Sequence, residues 1–127
     1  MGEILLIGAD WQFRDLLRAQ LLEEGYQVQA LSSVDDALTS LIRTAGRPCL
    51  IILDLQALSV EAGMVKELRR LCGGAPLILC GGVLDRAALS QGQFPAARVL
   101  LRPFRVGDLV KEVRRAWAWS MGREPEE

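Results

Sequence analysis

The run Leu50-Ile51-Ile52-Leu53, closed by Asp54, constrains this chain more than any other feature. Four consecutive apolar residues are too few for a helix and leave no polar face. They fit a strand covered on both sides, as in a parallel sheet held between helices. In such sheets ligands and chemistry gather beyond the carboxyl ends of the strands. A carboxylate at that end is therefore a candidate for chemistry rather than packing.

The rest of the chain repeats the theme. Glu3 to Ile7 is another short apolar run. Trp11 to Glu24 has helical spacing at Phe13, Leu16, Leu17 and Leu21 and stops at Gly25, a good residue just past a helix end. Gln27 to Leu31 alternates polar and apolar residues, the mark of a strand near a sheet edge. Ser33 and Asp36 form a capping pair ahead of a helix that places Ala37, Leu38, Leu41 and Ile42 on one face, up to Gly46-Arg47-Pro48. After the third strand, Cys49 to Asp54, a helix over Val60 to Leu71 turns Val65, Leu68 and Leu71 or Cys72 inward and breaks at Gly73-Gly74. A fourth strand over Pro76 to Cys80, a short helix over Arg86 to Gln91 capped by Asp85, a fifth strand over Arg98 to Leu101 and a last helix over Val106 to Met121 complete the order. Leu109, Val110, Val113 and Trp117 share one face of that last helix. Regular alternation with short connections predicts an α/β fold with a parallel five-stranded sheet between two helical layers. Residues 1–121 read as a single domain and 122–127 as an acidic tail.

Composition narrows the function. The net charge is −1, so no global field draws the chain to nucleic acid or to an anionic membrane. There is no histidine, which removes imidazole acid–base chemistry and His-assisted nucleophiles at once. Cys49, Cys72 and Cys80 form no C-x-x-C pair and read as small buried thiols of a reduced, cytoplasmic protein. No run reaches the roughly 18 apolar residues of a membrane span, and no leader pattern opens the chain. No glycine-rich nucleotide motif follows a strand. Beyond Asp10 and Asp54 no pair of acid and base groups is evident, so the chain does not read as an enzyme.

With the elements in place, the residues resemble a known family. Glu3-Ile4-Leu5-Leu6-Ile7, then Phe13-Arg14-Asp15-Leu16-Leu17, Leu22-Glu23-Glu24-Gly25-Tyr26-Gln27-Val28, Ile51-Ile52-Leu53-Asp54-Leu55 and Arg102-Pro103-Phe104 are together similar to the CheY-like receiver domain of two-component response regulators. The resemblance runs from about Glu3 to about Trp117. It implies a three-layer (βα)5 flavodoxin-like fold with strand order 2-1-3-4-5. It also implies a phosphoacceptor at Asp54 and Mg²⁺ bound by an acidic pair after the first strand, by Asp54 and by the Gln56 carbonyl. A hydroxyl residue after strand four and a Lys after strand five would hold the phosphoryl group. The implied partners are a sensor histidine kinase or a downstream effector, with a homodimer also open.

Position by position, this chain departs from that pattern. The acidic pair falls on Gly8 and Ala9, with Asp10 one place late; the hydroxyl position falls on Gly81, the Lys on Arg102, and the aromatic switch residue on Val99. Mg²⁺ wants several oxygen ligands in near-octahedral array, and Asp10 and Asp54 offer at best a weak site. Arg102 keeps its charge and can grip a carboxylate with two bonds, so it is expected to pair with Asp54. The Arg102-Pro103 bond is expected to be cis, as in the family. Trp11 reads either as a lid over the site or, more simply, as a first-turn residue packed on a neighbouring loop. Gly81-Gly82 reads as a turn or as a backbone nest for an anion. The leading expectation is a pseudo-receiver acting through protein contacts on a face formed by Val99, Val106, Leu109 and Trp119. Two alternatives stay open: a working phosphoacceptor with Asp10 as makeshift metal ligand, and a small-ligand-binding α/β module.

Overall fold

A computed structural model describes residues 3–44, 50–56, 62–73, 75–82 and 98–120. Within them the chain runs β1 (Glu3–Ile7), α1 (Trp11–Glu23), β2 (Gln27–Leu31), α2 (Val34–Thr44), β3 (Leu50–Asp54), α3 (Ala62–Leu71), β4 (Leu77–Gly81), β5 (Arg98–Leu101) and α4 (Val106–Ser120). All strand pairs are parallel and the sheet order is β2-β1-β3-β4-β5. The expected fold class and order are therefore observed. The expected helix over Arg86 to Gln91, together with Cys49 and Val60, lies outside the described residues.

The side-chain period of two sorts the strands into two cores. Leu5, Ile7, Ile51, Leu53, Leu77 and Leu79 face one side, where Val34, Ala37 and Leu41 of α2 and Val65 and Leu68 of α3 cover them. Ile4, Leu6, Leu50, Ile52, Ile78 and Cys80 face the other, under Leu17 and Leu21 of α1 and Leu109, Val110 and Val113 of α4. Every residue of β3 is buried, as its unbroken apolar run requires. Asp54 continues the Leu50–Ile52 register, so its side chain leaves the sheet on the α1/α4 side.

Local signals explain the helix ends. The Asp10 carboxylate accepts hydrogen bonds from the backbone N–H of Gln12 (3.1 Å) and Phe13 (3.5 Å) and so starts α1. Gly25, at φ +93, ends it; its N–H donates to the Leu22 carbonyl while that of Tyr26 donates to Leu21. The Ser33 hydroxyl accepts from the Asp36 N–H at 3.1 Å, the expected cap of α2.

Two apolar residues expected inside are outside. Leu16 is 56% exposed and Ile42 is 70% exposed. The buried stripe of α1 runs through Phe13, Leu17 and Leu21 at spacings of four, which leaves Leu16 one step around the helix. Ile42 lies one step past Leu41 in the same way. The opposite correction concerns Leu109: expected on an interaction face, it is fully buried against the sheet.

Candidate functional site at the carboxyl end of the sheet

Asp54 is 1% exposed and is the single buried charged residue among those described. Arg102 follows β5 directly, and its backbone N–H donates to the Gly81 carbonyl at 2.8 Å, which anchors the start of the β5–α4 connection beside β4. The Arg102-Pro103 peptide bond is cis. From there the guanidinium crosses to Asp54 and makes two hydrogen bonds, Nη1 to Oδ1 at 3.0 Å and Nη2 to Oδ2 at 2.8 Å. The Gln56 N–H donates to the same Oδ1 at 3.2 Å. Among the described residues no buried side-chain polar atom lacks a partner, so this carboxylate is satisfied where it stands.

Two aromatic rings also lie against the guanidinium. Its central carbon lies 4.8 Å from the Phe13 ring centroid and 5.1 Å from that of Phe104. The rings themselves meet edge to face at 5.9 Å. Two aromatic quadrupoles thus add to the charge-assisted bonds of a fork-to-fork pair. Burial works against a charged Arg102, but its hydrogen bonds to Asp54 and the attraction of that carboxylate outweigh this and raise its pKa above the usual arginine value. Next to Asp54 in register is Cys80. Burial, with a further push from the Asp54 carboxylate, raises that thiol to about 12, so it stays protonated and unreactive.

The remaining site positions stand as follows. Gly8 faces Asp54 closely: a Cβ built there would lie 3.4 Å from the Asp54 Cβ. Its carbonyl accepts from Arg14 Nη1 at 2.6 Å. Asp10 spends one carboxylate oxygen on the N-terminus of α1. Gly81 ends β4 as a buried residue. Trp11 is 61% exposed, so the packing expected of it is slight, and the rings over Arg102 are those of Phe13 and Phe104. Val99 is 47% exposed on the edge strand β5, and Val106 is half-buried at the start of α4. The side chain of Trp119 lies outside the described residues.

This donor set does not fit Mg²⁺. Both Asp54 oxygens are bonded to the guanidinium, positions 8 and 9 carry no oxygen donor on a side chain, and Asp10 caps a helix. Among the described residues no group of three or more His, Cys, Asp or Glu is placed to hold a metal ion. Phe13, Phe104 and Arg14 are the site residues that reading the sequence missed. Phe104 stood in the Arg102-Pro103-Phe104 motif, but nothing in the spacing tied it to Phe13, since the two meet only when β5 and α1 are folded side by side.

No family model matches the chain, and no curated protein matches it. Solved structures do. NtrX from Brucella abortus, crystallised with ADP, is 24% identical with a TM-score of 0.77 over 94% of this chain, which spans 28% of that NtrX chain. A CheY-like response regulator receiver domain protein from Methanospirillum hungatei JF-1 is 18% identical with a TM-score of 0.79, covering 96% of this chain and 98% of its own. A response regulator receiver protein from Sinorhizobium medicae WSM419 is 18% identical with a TM-score of 0.77, covering 94% of this chain and 96% of its own. The fold of this chain is that of the CheY-like response regulator receiver domain.

Proposed function

We propose that residues 1–121 form a receiver-like domain of two-component phosphorelay signal transduction that works through protein–protein contacts, without a Mg²⁺-dependent phosphorylation cycle. The observation that carries this reading is the two-point pair between Asp54 and Arg102. A carboxylate accepts a phosphoryl group by attack of a free oxygen lone pair on phosphorus, in line with the leaving group. In this site the guanidinium bonds both oxygens and draws charge from them, the Gln56 N–H adds a second bond to Oδ1, and the phosphoryl anion would arrive without a metal to offset its charge. Arg102 and the Gly81 backbone do not supply the ion that Gly8 and Ala9 fail to hold.

Signalling then falls to the surface. Val99 and Val106, at the β5 edge and the start of α4, are the described apolar residues of the expected contact face, and Leu109 is withdrawn from it by burial. The partner on this reading is a cytoplasmic signalling protein, either a sensor histidine kinase or a downstream effector, and the domain has no catalytic activity of its own. No helix among the described residues is long and apolar enough to cross a membrane. Intact-mass spectrometry after incubation with Mg²⁺ and acetyl phosphate tests the proposal. The unchanged mass is expected, and stoichiometric addition of one phosphoryl group lost in Asp54→Asn would overturn it.

A further inference from the structure

The misfit between this site and Mg²⁺ has two separable causes. Carboxylates are missing at positions 8 and 9, and Arg102 sits on the one that remains. The first cause is reversible in space. A Cβ at Gly8 would lie 3.4 Å from the Asp54 Cβ and 3.9 Å from its Oδ2, which is ordinary contact and aims a side chain at position 8 toward the carboxylate. The second cause is built from three separate parts of the fold. Phe13 comes from α1, Asp54 from the end of β3, and Arg102 with Phe104 from the β5–α4 connection.

We propose that Arg102 is an autoinhibitory latch: seated against Phe13 and Phe104, its guanidinium holds both oxygens of Asp54 and closes the site to divalent cations even when a second carboxylate is supplied. The inference rests on the reading of Asp54 as an acceptor withdrawn from the phosphorylation cycle, and names what withdraws it. An entering cation has either to displace the guanidinium from the carboxylate or to bind beside it, where the two positive charges repel. The ring contacts oppose that, because turning the guanidinium away from the carboxylate also gives up its attraction to two ring systems. Lysine, a point charge on a flexible stem, would lack the fork.

Mn²⁺ binding, followed by the loss of its free electron paramagnetic resonance signal, separates the two causes. The chains compared are the unaltered protein, Gly8→Asp, Arg102→Gln and the double variant, each checked for a cooperative melt. The double variant is expected to bind Mn²⁺ at least about tenfold more tightly than Gly8→Asp, since a broken buried pair is worth well over one decade. Adding Asp54→Asn should remove that gain, and Phe104→Leu in the Gly8→Asp background should give part of it. Equal affinity of Gly8→Asp and the double variant would overturn the latch, as would a folded double variant that binds no Mn²⁺. If Gly8→Asp does not fold, the same pair built on Ala9→Asp decides. Phosphorylation of the unaltered chain by acetyl phosphate overturns the functional reading instead, whatever the Mn²⁺ series shows.

Discussion

At the scale of single residues, the arrangement around Asp54 has a direct energetic consequence. A carboxylate that is 1% exposed depends on its partner, and the partner is Arg102, whose side chain is 24% exposed. Arg102→Ala leaves the carboxylate buried without a cation, and about 3–5 kcal/mol of stability should be lost in denaturant unfolding. Replacing both members, as in Asp54→Leu with Arg102→Met, should recover most of it, because well-packed apolar groups often match a buried pair. A small loss in the single variant would mean that the pair is not formed in solution. Asp54 and Arg102 were legible in the sequence, since a strand end and the Arg102-Pro103-Phe104 motif marked them. The seat of Phe13 and Phe104 was not, because residues on α1 and on the β5–α4 connection meet only through the folded sheet.

At the scale of elements, periodicity recovered the described strands and helices nearly to the residue, and β5 falls on Arg98–Leu101 as expected. Periodicity was weaker on which apolar residues are inside. It admitted Leu16 and Ile42, which solvent covers, because a count of apolar spacings does not say how wide a stripe the sheet can accept. Leu109 and Val99 make the contrast testable. Leu109→Ala should cost about 2–5 kcal/mol in unfolding experiments as a core truncation, whereas Val99→Ala should stay within about 0.5 kcal/mol. Loss of partner binding in Val99→Ala with stability intact would then report on contact alone.

The link between β5 and α4 carries its own pH signature. Arg98 reaches Glu112 with two hydrogen bonds, and that hydrogen bonding, against a smaller burial penalty, lowers the Glu112 pKa below the ordinary glutamate value. A depressed carboxylate pKa stabilises the fold above the unfolded value and loses that contribution as pH falls through the folded one. Unfolding followed below about pH 4.5 should therefore show a shallower acid loss in Glu112→Gln than in the unaltered chain. The effect should be under about 1 kcal/mol, because Arg98 is half exposed and solvent screens the pair. Identical acid limbs would show that the pair contributes nothing.

At the scale of the whole molecule, alternation of strands and helices dictated a three-layer α/β fold, while the order of strands did not follow from alternation and came through the resemblance. The observed order β2-β1-β3-β4-β5 puts β3 at the centre, and the end of β1 and the end of β4 on either side of Asp54. That placement explains why Gly8, Gly81 and Arg102, far apart in the sequence, lie around one carboxylate. The fold brings an internal cation, the Arg102 guanidinium, onto that carboxylate, and the proposed loss of phosphorylation rests on this pair. The most direct check of that claim is a crystal structure grown at high Mg²⁺ concentration. Arg102 should remain on both Asp54 oxygens, against Phe13 and Phe104, with no ion against the carboxylate. A Mg²⁺ ion coordinated by Asp54, with Arg102 turned away from it, would contradict the account.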